Sequence, residues 1–185
     1  MDKFKNKYRI PSARLEKWNY EQNGAYFITI CTQNKEHYFG NVIDGIMNLS
    51  EMGLVVQEQW LNIPNLFPFV SLDSFVIMPN HIHGILYIDK KHKDICNENI
   101  INLDEKINIG GITKDKNPML NLNLSRIIRW FKGRTSYEIR KIYADFQWQS
   151  RFHDHIIKNH RTYKIIVKYI NNNPSNWQKD KFNKK

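Results

Sequence analysis

The sequence is poor in the features that mark secreted, membrane-spanning and zinc-knuckle proteins. Its two cysteines, Cys31 and Cys96, lack the spacing of a metal knuckle and any secretory context, so we interpret both as free thiols in a reducing compartment. The charged N-terminus is followed by no apolar signal region. No uninterrupted apolar run approaches the roughly 18 residues that a membrane span needs. These absences predict a cytoplasmic protein that makes no membrane contact.

The composition is that of a globular, strongly basic protein. Hydrophobic residues make up 41% of the chain and aromatic residues 13%, which argues against a disordered protein. Lysine and arginine number 28 against 18 aspartate and glutamate, which gives a formal net charge of +10. Such a surplus favours a polyanionic partner, usually nucleic acid, although a merely basic protein would have the same charge.

The pattern of elements predicts one domain over residues 1–185. A basic arm occupies residues 1–20, and a Lys-, Asp-, Asn- and Ile-rich stretch at 89–118 is predicted to be a long flexible insertion. Apolar strand-like runs at 25–32, 75–78, 83–88 and 148–157 alternate with helical patterns after Ser50, at 124–143 and at 160–172. This order predicts an α+β fold in which helices pack on one face of a sheet.

Two histidines follow a break in an apolar run and are the first candidates for chemistry. His81 and His83 flank Ile82 directly after Pro79-Asn80. Side chains alternate along a strand, so both imidazoles are expected on one face while Ile82 points into a core. Such a pair can hold a metal ion, but an isolated His-x-His is more often structural. Two ligands also leave a site incomplete, so another element must supply a third.

The last predicted helix offers that third group. Tyr169 and Asn173 are four residues apart and share a helical face if the helix persists that far, although Asn173 precedes Pro174. In one interpretation Tyr169 is a nucleophile beside the metal and Asn173 is a ligand. In the other, Tyr169 belongs to an apolar stripe of core residues, with Ile165, Ile166 and Ile170.

Three blocks of the chain, in order, resemble REP-associated tyrosine transposases, which belong to the wider single-tyrosine HUH transposases. The blocks are the segment 78–84 around the two histidines, the segment 148–159 that begins with Trp148, and the segment 169–174 that begins with Tyr169. The run 23–32 and the pair Phe39-Gly40 are also similar to this family. The resemblance covers nearly the whole chain except the 89–118 insertion.

The resemblance implies a fold and a reaction. The fold is a ferredoxin-like antiparallel sheet of the HUH endonuclease type, and the reaction is a metal-dependent cut in hairpin-bearing single-stranded DNA. It makes Tyr169 the nucleophile, which forms a 5′-phosphotyrosine link, and it makes His81, His83 and Asn173 the metal ligands. Relatives often have a glutamine where Asn173 stands, and Tyr163 is the alternative nucleophile. The family is described with Mg or Mn, whereas two imidazoles suit Mn, Zn or Ni better than Mg.

Basic and polar side chains outside these blocks are candidates for contact with the DNA backbone. The helix predicted over 124–143 is amphipathic and rich in arginine and lysine, as a backbone-binding helix would be, although solvated surface charge is the commoner explanation. The candidate DNA-binding residues are Arg14, Arg126, Arg129, Lys132, Arg134, Arg151 and His155. The sequence leaves open whether the chain acts as a monomer or a homodimer.

The sequence is compatible with three alternative functions. The first is an endonuclease and strand transferase (a transposase) that acts through Tyr169. The second is a catalytically inactive hairpin-binding protein derived from a transposase, which would bind DNA or RNA without cutting. The third is a histidine-dependent phosphohydrolase of nucleotides, which would leave no protein–DNA adduct. We find no glycine-rich loop that would hold the phosphates of ATP.

Overall fold

A computed structural model of the chain describes residues 3–4, 7–8, 23–90 and 123–183. The strands are β1 (Lys3–Phe4), β2 (Lys7–Tyr8), β3 (Gly24–Cys31), β4 (Gly40–Ile43), β5 (Ile46–Leu49), β6 (Val70–Met78), β7 (His81–Ile88) and β8 (His153–Ile157). The helices are α1 (Glu51–Leu61), α2 (Ile63–Leu66), α3 (Leu124–Ile139) and α4 (His160–Asn171), and single 3₁₀ turns occur at Gln33–Lys35 and Trp177–Lys179. The 89–118 insertion, beyond its first two residues, and the 1–20 arm, apart from the paired backbones of β1 and β2, lie outside the described residues.

The central sheet is antiparallel with the strand order β6-β7-β3-β8. Strand β7 is therefore hydrogen-bonded on both sides, to β6 and to β3. Aromatic and β-branched residues dominate β3, as expected for a buried strand. The predicted α+β class with an antiparallel sheet is confirmed.

Helices α1 and α3 cover one face of this sheet. Strands β3 and β7 turn Ile28, Ile30 and Ile82 toward these helices, and all three side chains are fully buried. Trp60 of α1 and Phe131 of α3 contact each other edge to face, with ring centroids 5.3 Å apart. The main hydrophobic core lies here.

Helix α4 covers the opposite face, where the prediction placed no helix. Its residues Ile166 and Ile170 form a second apolar cluster with Ile85 of β7. The helix has one apolar stripe, and that stripe needs one sheet face to bury it. The sequence pattern identifies the stripe but not the face of the sheet that it meets, so the prediction of helices on one face missed α4.

Short sequence signals account for most of the element ends. Ser50 caps α1 by accepting a hydrogen bond from the Gly53 amide at 3.1 Å, and Asn159 caps α4 through the Thr162 amide at 2.9 Å. Asp44 and Gly45 form the β4–β5 turn with φ values of 50° and 75°. Two ends differ from the prediction, because α3 stops at 139 instead of 143 and strand pairing of β8 begins at 153 instead of 148. Within the described residues, no helix is long and apolar enough to cross a membrane.

Candidate active site

The two histidines lie side by side at the start of β7. His81 is opposite Cys31 of β3 and His83 is opposite Thr29, so both face the α4 side of the sheet while Ile82 faces the main core. The ring centroids are 4.5 Å apart, and the side chains are 0% and 2% exposed. The predicted alternation across this strand is therefore confirmed.

The Asn80 side chain fixes the orientation of the His81 ring. Its Nδ2 donates hydrogen bonds to the carbonyl oxygens of Lys35, at 3.0 Å, and Phe182, at 2.9 Å. Its Oδ1 is therefore the acceptor that lies 2.8 Å from His81 Nδ1, which assigns the ring proton to Nδ1. His81 Nε2 is then left with a lone pair, and it is buried without a hydrogen-bond partner among the described residues. A buried acceptor in this state is suited to bind a cation.

His83 is held between a threonine and a tyrosine. Its Nδ1 lies 2.8 Å from Thr29 Oγ1, and its Nε2 lies 3.2 Å from the phenol oxygen of Tyr169. Burial and then the nearby Lys181 ammonium lower its pKa to about 3, although a hydrogen bond to the Ile28 backbone acts in the opposite direction. Burial, followed by the charges of His83 and Lys181, also lowers the pKa of His81 well below its usual value. Both imidazoles are thus neutral at physiological pH, which is the form that binds metals.

Tyr169 projects from the last turns of α4 toward this pair. Its ring meets Phe27 edge to face at 6.1 Å and remains 41% exposed, so it is not part of the buried stripe formed by Ile166 and Ile170. Burial and the charge of Asp180 raise its pKa, while a hydrogen bond with Asn173 acts in the opposite direction. The phenol is therefore protonated until a positive charge or a base comes close.

Tyr163 points to a different place. Its hydroxyl donates a hydrogen bond to Asp73 Oδ2 at 2.9 Å, and Tyr87 also bonds to this carboxylate. Burial would raise the pKa of Asp73, but the bonds from Tyr163, Ser74 and Tyr87 outweigh it and lower the pKa. The Tyr163 hydroxyl is thus bonded to Asp73 on β6 and its ring stacks on His160, whereas Tyr169 contacts His83.

Asn173 comes close to Tyr169 although the helix ends before it. Helix α4 stops at Asn171, and the Asn173 amide bonds to the Ile170 carbonyl at 3.2 Å in the turn that follows. Its Nδ2 donates to Asp180 Oδ2 at 3.3 Å, and its Oδ1 is buried without a partner among the described residues. The sequence spacing therefore brings the two side chains together, but through a turn instead of a continuous helical face.

The site contains two kinds of ligand atom that divalent metals bind, an imidazole nitrogen and an amide oxygen. The described residues contain no group of three or more His, Cys, Asp or Glu side chains placed to hold a metal ion. They do contain a buried imidazole nitrogen and a buried amide oxygen, on His81 and Asn173, that lack hydrogen-bond partners. Unsatisfied buried acceptors are rare and costly, and a bound cation is one way to satisfy an acceptor of either kind. The residues present fit a metal held by imidazole and amide ligands with open positions for substrate oxygens.

The C-terminal segment covers the histidine pair. The Phe182 ring lies 4.5 Å from the His81 ring and 5.9 Å from the His83 ring, centroid to centroid. Lys35 Nζ donates to the Lys181 carbonyl at 3.0 Å, and the Phe182 amide donates to Asp180 Oδ1 at 2.7 Å. This segment supplies part of the wall of a cavity of about 700 Å³, which His83, Tyr169 and Asn173 also line and which we call the histidine cavity.

The candidate DNA-binding residues are not gathered at this cavity. Arg126, Arg129, Lys132 and Arg134 lie on α3, the helix that packs on the far face of the sheet. His155 on β8 is opposite Phe27 and so shares the histidine face, and exposed Arg151 precedes that strand. Arg14 lies outside the described residues.

Sequence reasoning gave no role to several residues of the site. Thr29 and Asn80 orient the imidazoles, while Asp180 and Phe182 approach from the end of the chain. Asn80 stands beside the histidines, so its position was a usable signal. Asp180 and Phe182 are about one hundred residues away in sequence, and no local pattern indicates that contact.

Comparisons with known proteins agree with this architecture. The chain is 39% identical over 170 residues to an uncharacterized protein of Haemophilus influenzae, a match that covers 91% of this chain and 90% of that protein. Among solved structures, a REP-associated tyrosine transposase bound to a REP hairpin superposes with a TM-score of 0.57 and 18% identity. That match covers 89% of this chain and 74% of the transposase chain, and at this identity it shows a shared fold. No family model matches the chain.

Proposed function

Because the chain belongs to one family with the Haemophilus influenzae protein and has a transposase-like fold, we propose that it is a metal-dependent single-stranded DNA endonuclease and strand transferase. One observation carries this proposal. The phenol oxygen of Tyr169 lies 3.2 Å from Nε2 of His83, beside two buried acceptors that have no described partner. A phenol next to groups that can accept its proton or hold a metal ion is one arrangement that activates a tyrosine for attack on a phosphate.

His81, His83 and Asn173 would hold the metal ion, and Mn or Mg would be the ion. When bound, a divalent cation neutralises the charge that develops on a scissile phosphate and lowers the pKa of a nearby phenol. The two imidazoles favour Mn over Mg by ligand preference. Thr29 and Asn80 would act as positioning residues, because each holds the Nδ1 edge of one ring and so turns the other ring nitrogen toward the ligand position.

Tyr169 would carry the covalent step. Its phenol oxygen gives its proton to solvent and forms a bond to phosphorus, while the bond between phosphorus and the 3′ oxygen breaks and that oxygen takes a proton from solvent. The products are a 5′-phosphotyrosine link and a free 3′-hydroxyl, and attack by a 3′-hydroxyl on that link rejoins a strand. The phosphodiester energy is kept in the tyrosine ester, so the reaction needs no ATP. Tyr169 contacts His83 of its own chain, and we therefore propose that one chain supplies a whole site.

The proposed substrate is single-stranded DNA that carries a hairpin. The transposase that shares this fold was solved bound to a REP hairpin, and this chain has a formal net charge of +10 that suits a DNA backbone. The substrate proposal is drawn from these two facts together.

Covalent capture of DNA tests the proposed function. Purified protein is incubated with Mn and labelled single-stranded hairpins from the flanks of its gene, and the products are separated on a denaturing gel. We expect a labelled band at the size of the protein, lost on adding a chelator and lost in Tyr169→Phe. Tyr163→Phe is the matched control, because it removes the same hydroxyl from the same helix and should retain the band. A band that survives in Tyr169→Phe but disappears in Tyr163→Phe would refute the assignment of the nucleophile.

A second candidate is a hairpin-binding protein without catalysis. The observation that favours it is the burial of both imidazoles beneath Phe182. This candidate predicts tight hairpin binding with no covalent band in any divalent metal. A histidine-dependent phosphohydrolase would instead release cut DNA without an adduct and would not need Tyr169.

A further inference from the structure

A second cavity of about 650 Å³ lies on the other side of the sheet edge, against the C-terminal half of α3. We call it the α3 pocket. Its wall includes Lys132, Ser136, Tyr137, Arg140, Lys141 and Trp148. None of the residues that line it carries a carboxylate and three carry a positive charge, although one of these, Lys141, is paired with the carboxylate of Glu138. The pocket is therefore suited to an anion.

Backbone carbonyls hold two of these cations in place. Lys132 Nζ donates to the carbonyl oxygens of Gln149, at 2.6 Å, and Arg151, at 3.5 Å, and Arg140 Nε donates to that of Phe146 at 3.2 Å. Carbonyl groups orient a cation without neutralising it. Each side chain also keeps further N–H donors that these bonds do not use, since an ammonium has three and a guanidinium has five. The charges are thus positioned for a ligand with several acceptor oxygens.

An independent observation points to the same kind of ligand. Trp148 lines the pocket and is 8% exposed, and its Nε1 donor is buried without a hydrogen-bond partner among the described residues. Leaving a buried N–H unsatisfied is costly, so native proteins rarely do it. An acceptor oxygen on a bound ligand would satisfy this donor.

The rim of the pocket supplies a surface for a base. The Tyr137 side chain is 59% exposed, which is unusual for an aromatic residue on a packed helix. Arg134 lies 5.5 Å from its ring centroid and Lys141 lies 4.7 Å from it, and both cations also form ion pairs with Glu138. Exposed aromatic rings beside cations are the surfaces on which single-strand binders stack bases while they hold phosphates.

A short stretch of chain connects this pocket to the candidate active site. Trp148 pairs with Thr32 at the end of β3, and five residues later His153 pairs with Thr29 and lines the histidine cavity. Five extended residues span at most about 18 Å. That distance equals about five nucleotides at the stacked rise of 3.4 Å per nucleotide along one strand.

We propose that the α3 pocket is a second DNA subsite, which binds a phosphodiester and its adjacent base in the single-stranded segment within about five nucleotides of the bond that Tyr169 attacks. The proposal rests on the proposed function for the identity of the DNA. The proposal assigns a DNA-binding role to the part of α3 that lines the α3 pocket, which does not line the histidine cavity.

The test compares binding of DNA hairpins with and without single-stranded tails. Fluorescence anisotropy gives Kd over a salt series for hairpins that carry tails of zero to eight nucleotides on either side. Arg140→Gln/Lys141→Gln should reduce the slope of log K against log salt by about 0.7 for the tailed hairpin, because the proposed subsite holds one phosphate and each phosphate contact to a single strand contributes about 0.7. Tyr137→Ser should weaken tailed binding at least about fivefold. The control Lys158→Gln/Lys164→Gln removes two charges from elsewhere on the surface. It should leave unchanged the gain in affinity that the single-stranded tail provides.

The outcomes separate this proposal from the proposed function. Covalent capture through Tyr169 in the wild-type protein, together with unchanged tail affinity and salt slope in all α3-pocket variants, overturns the subsite alone. If the single-stranded tail increases affinity, the variants remove this increase, and no covalent capture is seen, the subsite is supported and the proposed nuclease activity is refuted. An equal contribution from an RNA tail of the same sequence overturns the assignment to DNA. Circular dichroism melts of each variant establish that a loss of affinity is not a loss of fold.

Discussion

Protonation of His83 should destabilise the metal-free fold over a range of pH that the site geometry sets. The imidazole is 2% exposed, and burial followed by the charge of Lys181 lowers its pKa to about 3, against 6.5 for the free side chain. His81 also faces it, and the carboxylate of Asp180 lies in the same wall. Between pH 6.5 and 3 the unfolded chain binds a proton at this residue and the folded chain does not.

The sign and size of the effect follow from that difference. A depressed histidine pKa means that the contribution to stability is complete above about pH 6.5 and falls as the pH is lowered toward 3. One pH unit corresponds to about 1.4 kcal/mol, so the loss from this residue at pH 5 is about 2 kcal/mol. That is a large part of the stability of a typical domain.

Urea unfolding of the wild-type protein and His83→Gln measures this loss. Both proteins are unfolded with a chelator present at pH 8 and at pH 5, and the difference between their free energies of unfolding is taken at each pH. Titrating groups that do not interact with His83 contribute equally to both proteins and cancel, whereas the pKa of His81, which His83 lowers, also changes in the variant. We expect the advantage of the wild-type protein to shrink by about 2 kcal/mol between pH 8 and pH 5. A difference that stays constant would show that His83 titrates near 6.5 in the folded protein and would refute its burial.

Two further predictions concern the residues around the pair. Thr29→Val keeps the shape of the side chain but removes the oxygen beside His83 Nδ1, and it should weaken Mn binding, measured by electron paramagnetic resonance of free Mn, by about 10- to 100-fold. The matched change Thr135→Val, at a buried threonine on α3, should leave Mn affinity unchanged. A Cβ at Gly84 would lie 2.3 Å from the α1 tryptophan ring, so Gly84→Ala should lower the free energy of unfolding by about 1–3 kcal/mol. Gly133→Ala, where a Cβ meets nothing within 4 Å, should raise it by about 0.5–1 kcal/mol, and equal effects at the two glycines would contradict the packing.

The sequence predicts those parts of the site that depend on local rules. Strand alternation places His81 and His83 on one face, and the structure confirms it. The cap at Asn159 predicts where α4 begins, so the angular position of Tyr169 on the helix follows from counting residues. Each of these inferences spans fewer than about fifteen residues of chain.

The remaining parts depend on contacts that local patterns do not encode. The apolar stripe of α4 predicts that the helix is buried on one side, but either face of the sheet could have received it. The contact between Asn80 and the Phe182 carbonyl joins residues 102 apart in sequence. The roles of the metal, the tyrosine and the arginines stay predictions, since geometry brings side chains together but does not show a reaction.

The pairing of β7 on both sides has a consequence for how the site moves. A central strand held by two ladders exchanges its amide hydrogens only when the sheet itself opens, whereas helix ends and the turns beyond them open locally and often. The amides of the histidine strand should therefore be among the last to exchange, and those of the turn at Asn173 among the first. The two imidazoles and the tyrosine with its asparagine thus belong to regions that open at different rates, so that local opening around Tyr169 leaves the histidine strand in place.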